Sequence, residues 1–480
     1  MNSNSASILH LLQSKLCSGI LPITIIAWIG ILLAITGFLV DVPWLGMIFP
    51  AIVIGTFMVL FKMETLYRGM FFLIPLSLAI ELPGGLSTDF PAEVFLWAFW
   101  VVSILLLIKN GIPNKMANSL TFLISAHLIW TIISSLYAHD PLVAFKYSLA
   151  KSWYILPFYF LPFFIIQKEQ ELRVIFKYFI VGLILASFYF FIQHLQEGLS
   201  FLSRTNAGLP IWRNHVNYAC TLVISLPILV YLFKTSNSPD RKIYWLIFIL
   251  FLVFIYFSFA RIAYVCILAA IVYSIILKLR LTDLALVATS ISLFALIIYY
   301  TSNNRFVHLA PEYEKAIMQL DFERKLAATA KGEDVSTMER LHRWVAAKRM
   351  IEERPVVGFG PGNFYSSYKE HTLFSFETYV SDNPDKSGVH NHFLMIFAEQ
   401  GLPGLFIWLS LLLVALRSIQ FKYDNFENKT FYWLLGTLLT MILVINLVND
   451  MIEVVKIGSI FFFVLTLIHV FPQKRSQKIS

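Results

Sequence analysis

Residues 387–409 read SGVHNHFLMIFAEQGLPGLFIWL and set His390, Asn391 and His392 at the mouth of an apolar run. An imidazole titrating near its ordinary value, about 6.5, can take a proton from a hydroxyl close to neutral pH, so a histidine here is a candidate base. Arginines stand where an apolar setting makes charge expensive. Arg261 sits in FSFARIAYVC between two apolar runs. An arginine at such depth costs about 2.5–3.5 kcal/mol on insertion scales unless it is paired or reaches the interface. It either snorkels to lipid headgroups or forms an anion site at the membrane edge. Arg213, in IWRNHVNYAC, opens another apolar run beside Trp212 and is open to the same two readings. In STMERLHRWVAAKRMIEERP, the spacing of Arg340, Arg343 and Trp344 lets one helix face carry all three. Guanidiniums are permanently charged and forked to fit phosphate oxygens, which suits them to negative charge that grows during a reaction. Glu399 and Gln400 lie two to three turns into the run that starts at His390, and an acidic group there is costly. With Gly401, Pro403 and Gly404 beside them, they mark a cavity and a close helix contact, not a lipid-facing surface.

What must position these residues is a membrane bundle. Apolar residues make up 58% of the 480 and charged residues only 14%, against ~25% charged in a soluble domain. Apolar runs long enough to cross ~30 Å of hydrocarbon recur along the chain. The spans expected are 20–40, 44–61, 68–80, 92–109, 118–137, 147–166, 174–194, 215–233, 243–259, 260–278, 282–300, 391–416, 430–449 and 452–471. The fold class is therefore an all-α integral membrane protein with about 12–14 transmembrane helices. The first run is long enough to remain as an anchor, so no cleaved leader is expected. Basic residues sort to alternate connections, as in Lys109 and Lys115, Lys168 and Arg173, Arg241 and Lys242, Lys278 and Arg280, and Arg417 and Lys422. The connections 41–44 and 81–92 carry acids at their edges and no Lys or Arg. That asymmetry predicts cytoplasmic termini and an external loop. The organisation is transmembrane helices over 1–300, a loop domain over 301–390 and closing transmembrane helices over 391–480.

The loop carries its own structure. Ser336 and Glu339 have capping-box spacing, and Arg354-Pro355 ends the helix they begin. PVVGFGPGNF follows that helix instead of a strand, so its glycines read as a turn packed on the membrane domain more readily than as a nucleotide cradle. His215, Asn217, Lys146 and Lys151 read as capping, packing or amphipathic lead-in residues, and Asp450 and Glu453 have no assigned role. Cys17, Cys220 and Cys266 lie in or beside apolar runs and form no disulfide or metal framework. No Asp-x-Asp or His/Glu cluster falls on the outer side, so no metal or cofactor is expected. The net charge of +8 is mostly cytoplasmic loops obeying topology and gives no nucleic-acid reading.

The block ERLHRWVAAKRMIEERPVVGFGPGNF, followed by VHNHFLMIFAEQGLPGLFIWL, resembles the signature of the O-antigen ligase and polymerase superfamily. That signature is an Arg, a Trp, a Pro-x-x-Gly-x-Gly turn, a His-Asn and a Glu-x-Gly-x-x-Gly. The resemblance is strong over 337–409 and weaker at FSFARIAY and WRNHVNYA; Ile262-Ala263 departs from the family's frequent Gly-Ala. It implies a GT-C-like glycosyltransferase of the bacterial inner membrane, with the large loop and active site on the periplasmic face. The implied donor is a glycan on undecaprenyl pyrophosphate, and the implied acceptor is lipid A–core or another glycan. The resemblance implies catalytic roles for His390, Arg261 and Arg340, and metal-independent inversion. Substrate-binding roles are expected for Arg213, Arg343, Trp344, Asn391 and Glu399, with Asn391 either positioning a sugar or capping the span. His390 is expected to be the catalytic histidine and His392, about 200° around the helix, to face away. O-antigen ligation is the favoured reading; a polymerase and a protein O-oligosaccharyltransferase remain alternatives. A lipid-linked glycan flippase would show repeated halves, and none is found.

Overall fold

The computed structural model describes residues 63–82, 86–201, 203–205, 207–309, 335–377, 381–383 and 387–471. The expected spans at 20–40 and 44–61, Cys17, the chain termini and the loop stretch 310–334 lie outside the described residues.

The polar residues that interrupt the apolar runs act as helix caps. After α1 (63–76) come α2 (Ala92–Asn110) and α3 (Ser119–Ser135), the latter started by the Asn118 side chain accepting from Thr121 N. Asp140 caps α4 (Pro141–Ile155), which has proline at its first position, where a missing N–H costs nothing. Next are α5 (Glu169–Gln196), α6 (His215–Thr235, capped by Asn214), α7 (Ser238–Phe257), α8 (Arg261–Lys278) and α9 (Thr282–Thr301). The loop contributes α10 (Val335–Glu353). The chain then closes with α11 (His392–Asn425), α12 (Lys429–Val448) and α13 (Val455–Val470). Among the described residues, seven helices are long and apolar enough to cross a membrane, and α3 and α13 are shorter apolar helices. This is an all-α multi-pass membrane architecture.

Three local expectations change. The span expected at 68–80 stops at 76 and gives way to an antiparallel hairpin, β1 (Leu78–Leu82) with β2 (Leu86–Phe90), in which Ala79 pairs with Asp89. Ala79 N also donates to Pro210 O (3.0 Å), which ties the hairpin to the α5–α6 connection. The span expected at 147–166 begins earlier and passes through a π turn over Leu156–Phe160; Pro157 within it and Pro162 just after it lack the N–H that a regular helix needs. Ser336 lies one residue inside α10 and does not cap it; its hydroxyl accepts from Arg340 Nη1 (2.7 Å).

Burial grades from the centre outward. In α6, 83% of the membrane-length window is buried, α13 is buried almost throughout, and α12 packs on both α11 and α8. In α9 none of that window is buried, Thr282 at its start being the one buried residue, so the helix is left for lipid to cover.

The decisive local feature is a break in α11. Gly401 has φ 69° and ψ −170°, which interrupts the helical hydrogen bonds and leaves carbonyls at membrane depth without intrahelical partners. The PVVGFGPGNF turn restores them. Phe359 N donates to Ala398 O (3.0 Å), Gly360 N to Glu399 O (2.8 Å), and Trp130 Nε1 to Gln400 O (2.8 Å). Ser134 Oγ donates to both Val357 O (2.9 Å) and Glu399 O (3.1 Å), and Leu402 N returns a bond to Pro355 O (2.8 Å). The buried Glu399 carboxylate accepts from Gly362 N (2.9 Å) and Phe364 N (3.0 Å). The approach is close enough that a Cβ on Gly401 would strike the Val356 carbonyl, and one on Gly358 the Glu399 backbone.

Gly401→Ala is therefore expected to destabilise the protein, by about 1–3 kcal/mol for a left-handed non-glycine backbone and further for the displaced carbonyl. Gly69→Ala, in α1 with open space around the added methyl, is expected to leave the melting temperature unchanged or slightly raised. Thermal unfolding of the two purified variants checks this; equal melting temperatures would contradict the account of the break.

Candidate functional site

Backbone and side-chain bonds draw one end of the bundle together. Lys456 Nζ donates to Ser77 O (2.8 Å) and Ile211 O (2.6 Å), Asp140 N donates to Asn363 Oδ1 (2.7 Å), and Arg340 Nε donates to Val448 O (3.0 Å). Within this end, the basic residues singled out in the sequence fall into three groups.

The first joins α10, the start of α11 and the α12–α13 connection. Arg340 is aimed by Val448 O and by Ser336, through its carbonyl (3.2 Å) and its hydroxyl. Arg343 is buried, bonds Gly388 O (3.4 Å) and pairs with Glu339 (3.3 Å). His390 lies just before α11 with φ 57°, a backbone conformation uncommon outside glycine that tends to mark functional sites. Its N–H donates to Asp450 Oδ2 (2.9 Å), and the Asp450 carboxylate comes so near Gly388 that a Cβ there would lie 2.7 Å from the same oxygen. Burial, reinforced by Arg340 and Arg343, pushes the His390 imidazole down to about 3. Burial likewise raises the Asp450 carboxyl to about 7, opposed by the His390 amide that it accepts. His390 is thus a neutral imidazole beside two guanidiniums.

Arg261, the first residue of α8, belongs to a second group with Arg204 and His215. Arg204 Nε donates to His215 Nε2 (3.3 Å), and its guanidinium stacks 3.3 Å from the Phe201 ring centre. Burial, with Arg261 nearby, lowers Arg204 to about 10. Arg213 is in a third group and lines a cavity of about 750 Å³ with Lys456, Lys151, Lys146, Asp89 and Glu93. Burial raises Asp89 there, opposed by Lys456 and Arg213.

The remaining sequence candidates have plain positions. The Asn391 side chain caps α11 by accepting from Phe393 N and Leu394 N (both 3.0 Å), and its amide donates to Leu447 O (3.0 Å). Trp344 packs, half-buried, on a small second core that includes Ala347, Met350, Phe364 and Tyr368. Both Glu399 oxygens are taken up by the turn. His392 is fully buried, its ring 5.1 Å from that of Trp408 and its Nδ1 3.7 Å from Glu453. Asp450 and Glu453, acids visible in the sequence but assigned no role there, link the first group to the third, Asp450 by accepting from His390 N and Glu453 by pairing with Lys151. Their only signal was charge on the outer side of a short connection. Among the described residues, no group of three or more His, Cys, Asp or Glu is arranged to hold a metal ion.

Residues 246–409 match the family described as Wzy_C: O-Antigen ligase. The matched segment contains Arg261, Arg340, Arg343, Trp344, His390, Asn391 and Glu399, and excludes Arg213. No curated protein matches the chain. The break in α11, the turn that closes it and the Arg340–His390 group all lie within that segment or bond directly to it, and the match over 246–409 supports an O-antigen ligase/polymerase-type membrane enzyme.

Proposed function

We propose that this protein is an inverting glycosyltransferase of the bacterial inner membrane. It moves a glycan from undecaprenyl pyrophosphate to a hydroxyl of lipid A–core on the periplasmic side. The observation that carries this reading is the meeting of Arg340, Arg343 and neutral His390 where the loop helix α10 joins the mouth of α11. Attack by the acceptor oxygen on the anomeric carbon forms the new glycosidic bond as the bond from that carbon to the phosphate oxygen breaks. The hydroxyl proton goes to the His390 ring, and the electron pair leaves with the lipid pyrophosphate. Charge growing on the leaving oxygen faces guanidiniums in a water-poor setting, where such stabilisation is usually the largest catalytic term. The chemistry is carried by these side chains, with no metal ion in the proposed step. Arg261, aimed from α8, supplies a further cation toward the same anionic donor, and Arg213 meets the glycan. Asn391 and Glu399 act as positioning residues, holding the mouth of α11 and the turn, and Trp344 supports the helix that bears both arginines.

In a strain lacking the gene, wild-type protein is expected to restore glycan-capped lipopolysaccharide. Arg340→Ala should lose about 1.5–3 kcal/mol per charged hydrogen bond, roughly ten- to a hundredfold in rate, and Arg340→Lys should recover only part because the fork is gone. Gel analysis of the surface glycan reads this. Full capping by Arg340→Ala would sink the proposal, and a deletion that leaves single capped repeats would identify a polymerase.

The pH profile separates His390 from its neighbour. A base works above its pKa and is lost as pH falls through it, so a group held near 3 keeps His390 competent well below the 6.5 of an ordinary histidine. A limb in kcat/KM near pH 7 is instead expected from Asp450, and Asp450→Asn should flatten it. A limb at 6.5 that persists in Asp450→Asn would return it to an ordinary, solvated His390.

A further inference from the structure

The cavity that Arg213 lines is set apart from the Arg340–His390 group and built from different parts of the chain. Its walls are the β hairpin, the first turns of α2, α4 along most of its length, residues 211–217 and the start of α13. Of the family-matched segment, Gly362 alone reaches it among the described residues. Three tryptophans line it. Trp97 and Trp153 are tilted 58° to each other with ring centres 5.6 Å apart, and Lys456 Nζ lies 4.7 Å over the Trp212 ring. The indole N–H of each is buried and has no hydrogen-bond partner among the described residues. Several of the polar groups are held in place by the walls. Lys151 pairs with Glu453 (2.6 Å), and the Glu93 carboxylate accepts from Thr88 Oγ1 (2.6 Å) and Tyr154 Oη (3.3 Å).

Flat aromatic faces beside polar groups held in fixed positions go beyond what a bare phosphate would use. They suit a ligand with an apolar face and a rim of hydroxyls, and the volume lies within the range of small-ligand sites. We infer that this cavity is a saccharide-binding site in which the partly exposed Trp97 and Trp153 stack on pyranose rings, the buried Trp212 backs the wall under Lys456, and Glu93 and the Lys151–Glu453 pair bond the sugar hydroxyls. The inference rests on the glycosyltransferase reading for its connection to catalysis. That connection is physical: the segment from Asp450, which holds His390, to Lys456 also supplies the cavity wall at Glu453. Because all of the described lining but Gly362 comes from outside the matched segment, we take it as the part of the chain that chooses which sugar is handled.

Saturation-transfer NMR on the purified full-length protein, using the methyl glycosides of glucose, galactose and N-acetylglucosamine, tests the site directly. At least one glycoside is expected to receive saturation from the wild type and from Arg340→Ala. The signal should disappear in Ala150→Trp, which fills the cavity, and fall several-fold in Trp97→Ala, with melting temperatures reporting that each variant is folded. No signal from the wild type, or one abolished by Arg340→Ala and kept by Ala150→Trp, overturns the inference; the transfer reaction is read separately by complementation. Transfer kinetics of Trp97→Ala then assign the sugar. A raised KM for the acceptor alone places the acceptor glycan in the cavity, a raised KM for the donor alone places the donor glycan there, and a change in neither contradicts the site.

Discussion

Glu399 and the glycine turn form the contact on which the rest of this molecule depends. A helix broken at membrane depth exposes carbonyls that no water can reach, and each would cost several kcal/mol if left unmet. Here the turn amides of Phe359 and Gly360, the Trp130 indole and the Ser134 hydroxyl meet them, while the Glu399 side chain accepts from Gly362 and Phe364 in return. The exchange fixes α10 and its turn against α3 and α11. It also explains why glycine stands at both Gly358 and Gly401, where the two backbones touch.

From that anchor the chemistry follows by short steps. The helix that ends at Glu353 feeds into the turn, so its arginines are held at the mouth of α11, where His390 sits in a left-handed backbone. Asp450 secures that backbone from the α12–α13 connection, and Arg340 bonds the end of α12. Buried charge is tolerated because it is matched: Arg343 by Glu339, and Lys151 by Glu453. The cations are nevertheless divided among three groups at one end of the bundle.

The membrane class and most helix positions were legible in the sequence, because hydropathy and caps are local properties; the resemblance named Arg261, Arg340 and His390 together, and the structure puts Arg261 with Arg204 instead. The turn's packing on the membrane domain was legible too, from its glycines and its place after a helix. What escaped was set by contacts distant in sequence. Asp450 meets His390 across sixty positions, and Lys456 reaches Ser77 across 379. The β hairpin interrupts a run whose composition reads as helix, and a tertiary bond from Ala79 to Pro210 secures it there. Glu399 looked like a polar group facing a cavity because depth was visible in the sequence and its backbone partners, some thirty-five residues upstream, were not.

Hydrogen exchange across residues 355–364 in Glu399→Gln tests the central claim most directly. The substituted amide can accept through one atom only, so the amides of Gly362 and Phe364 are expected to exchange faster than in the wild type, while α12 remains protected. Unchanged exchange in this segment, accompanied by loss of glycan transfer, would contradict the account and move Glu399 from holding the turn to acting on the substrate.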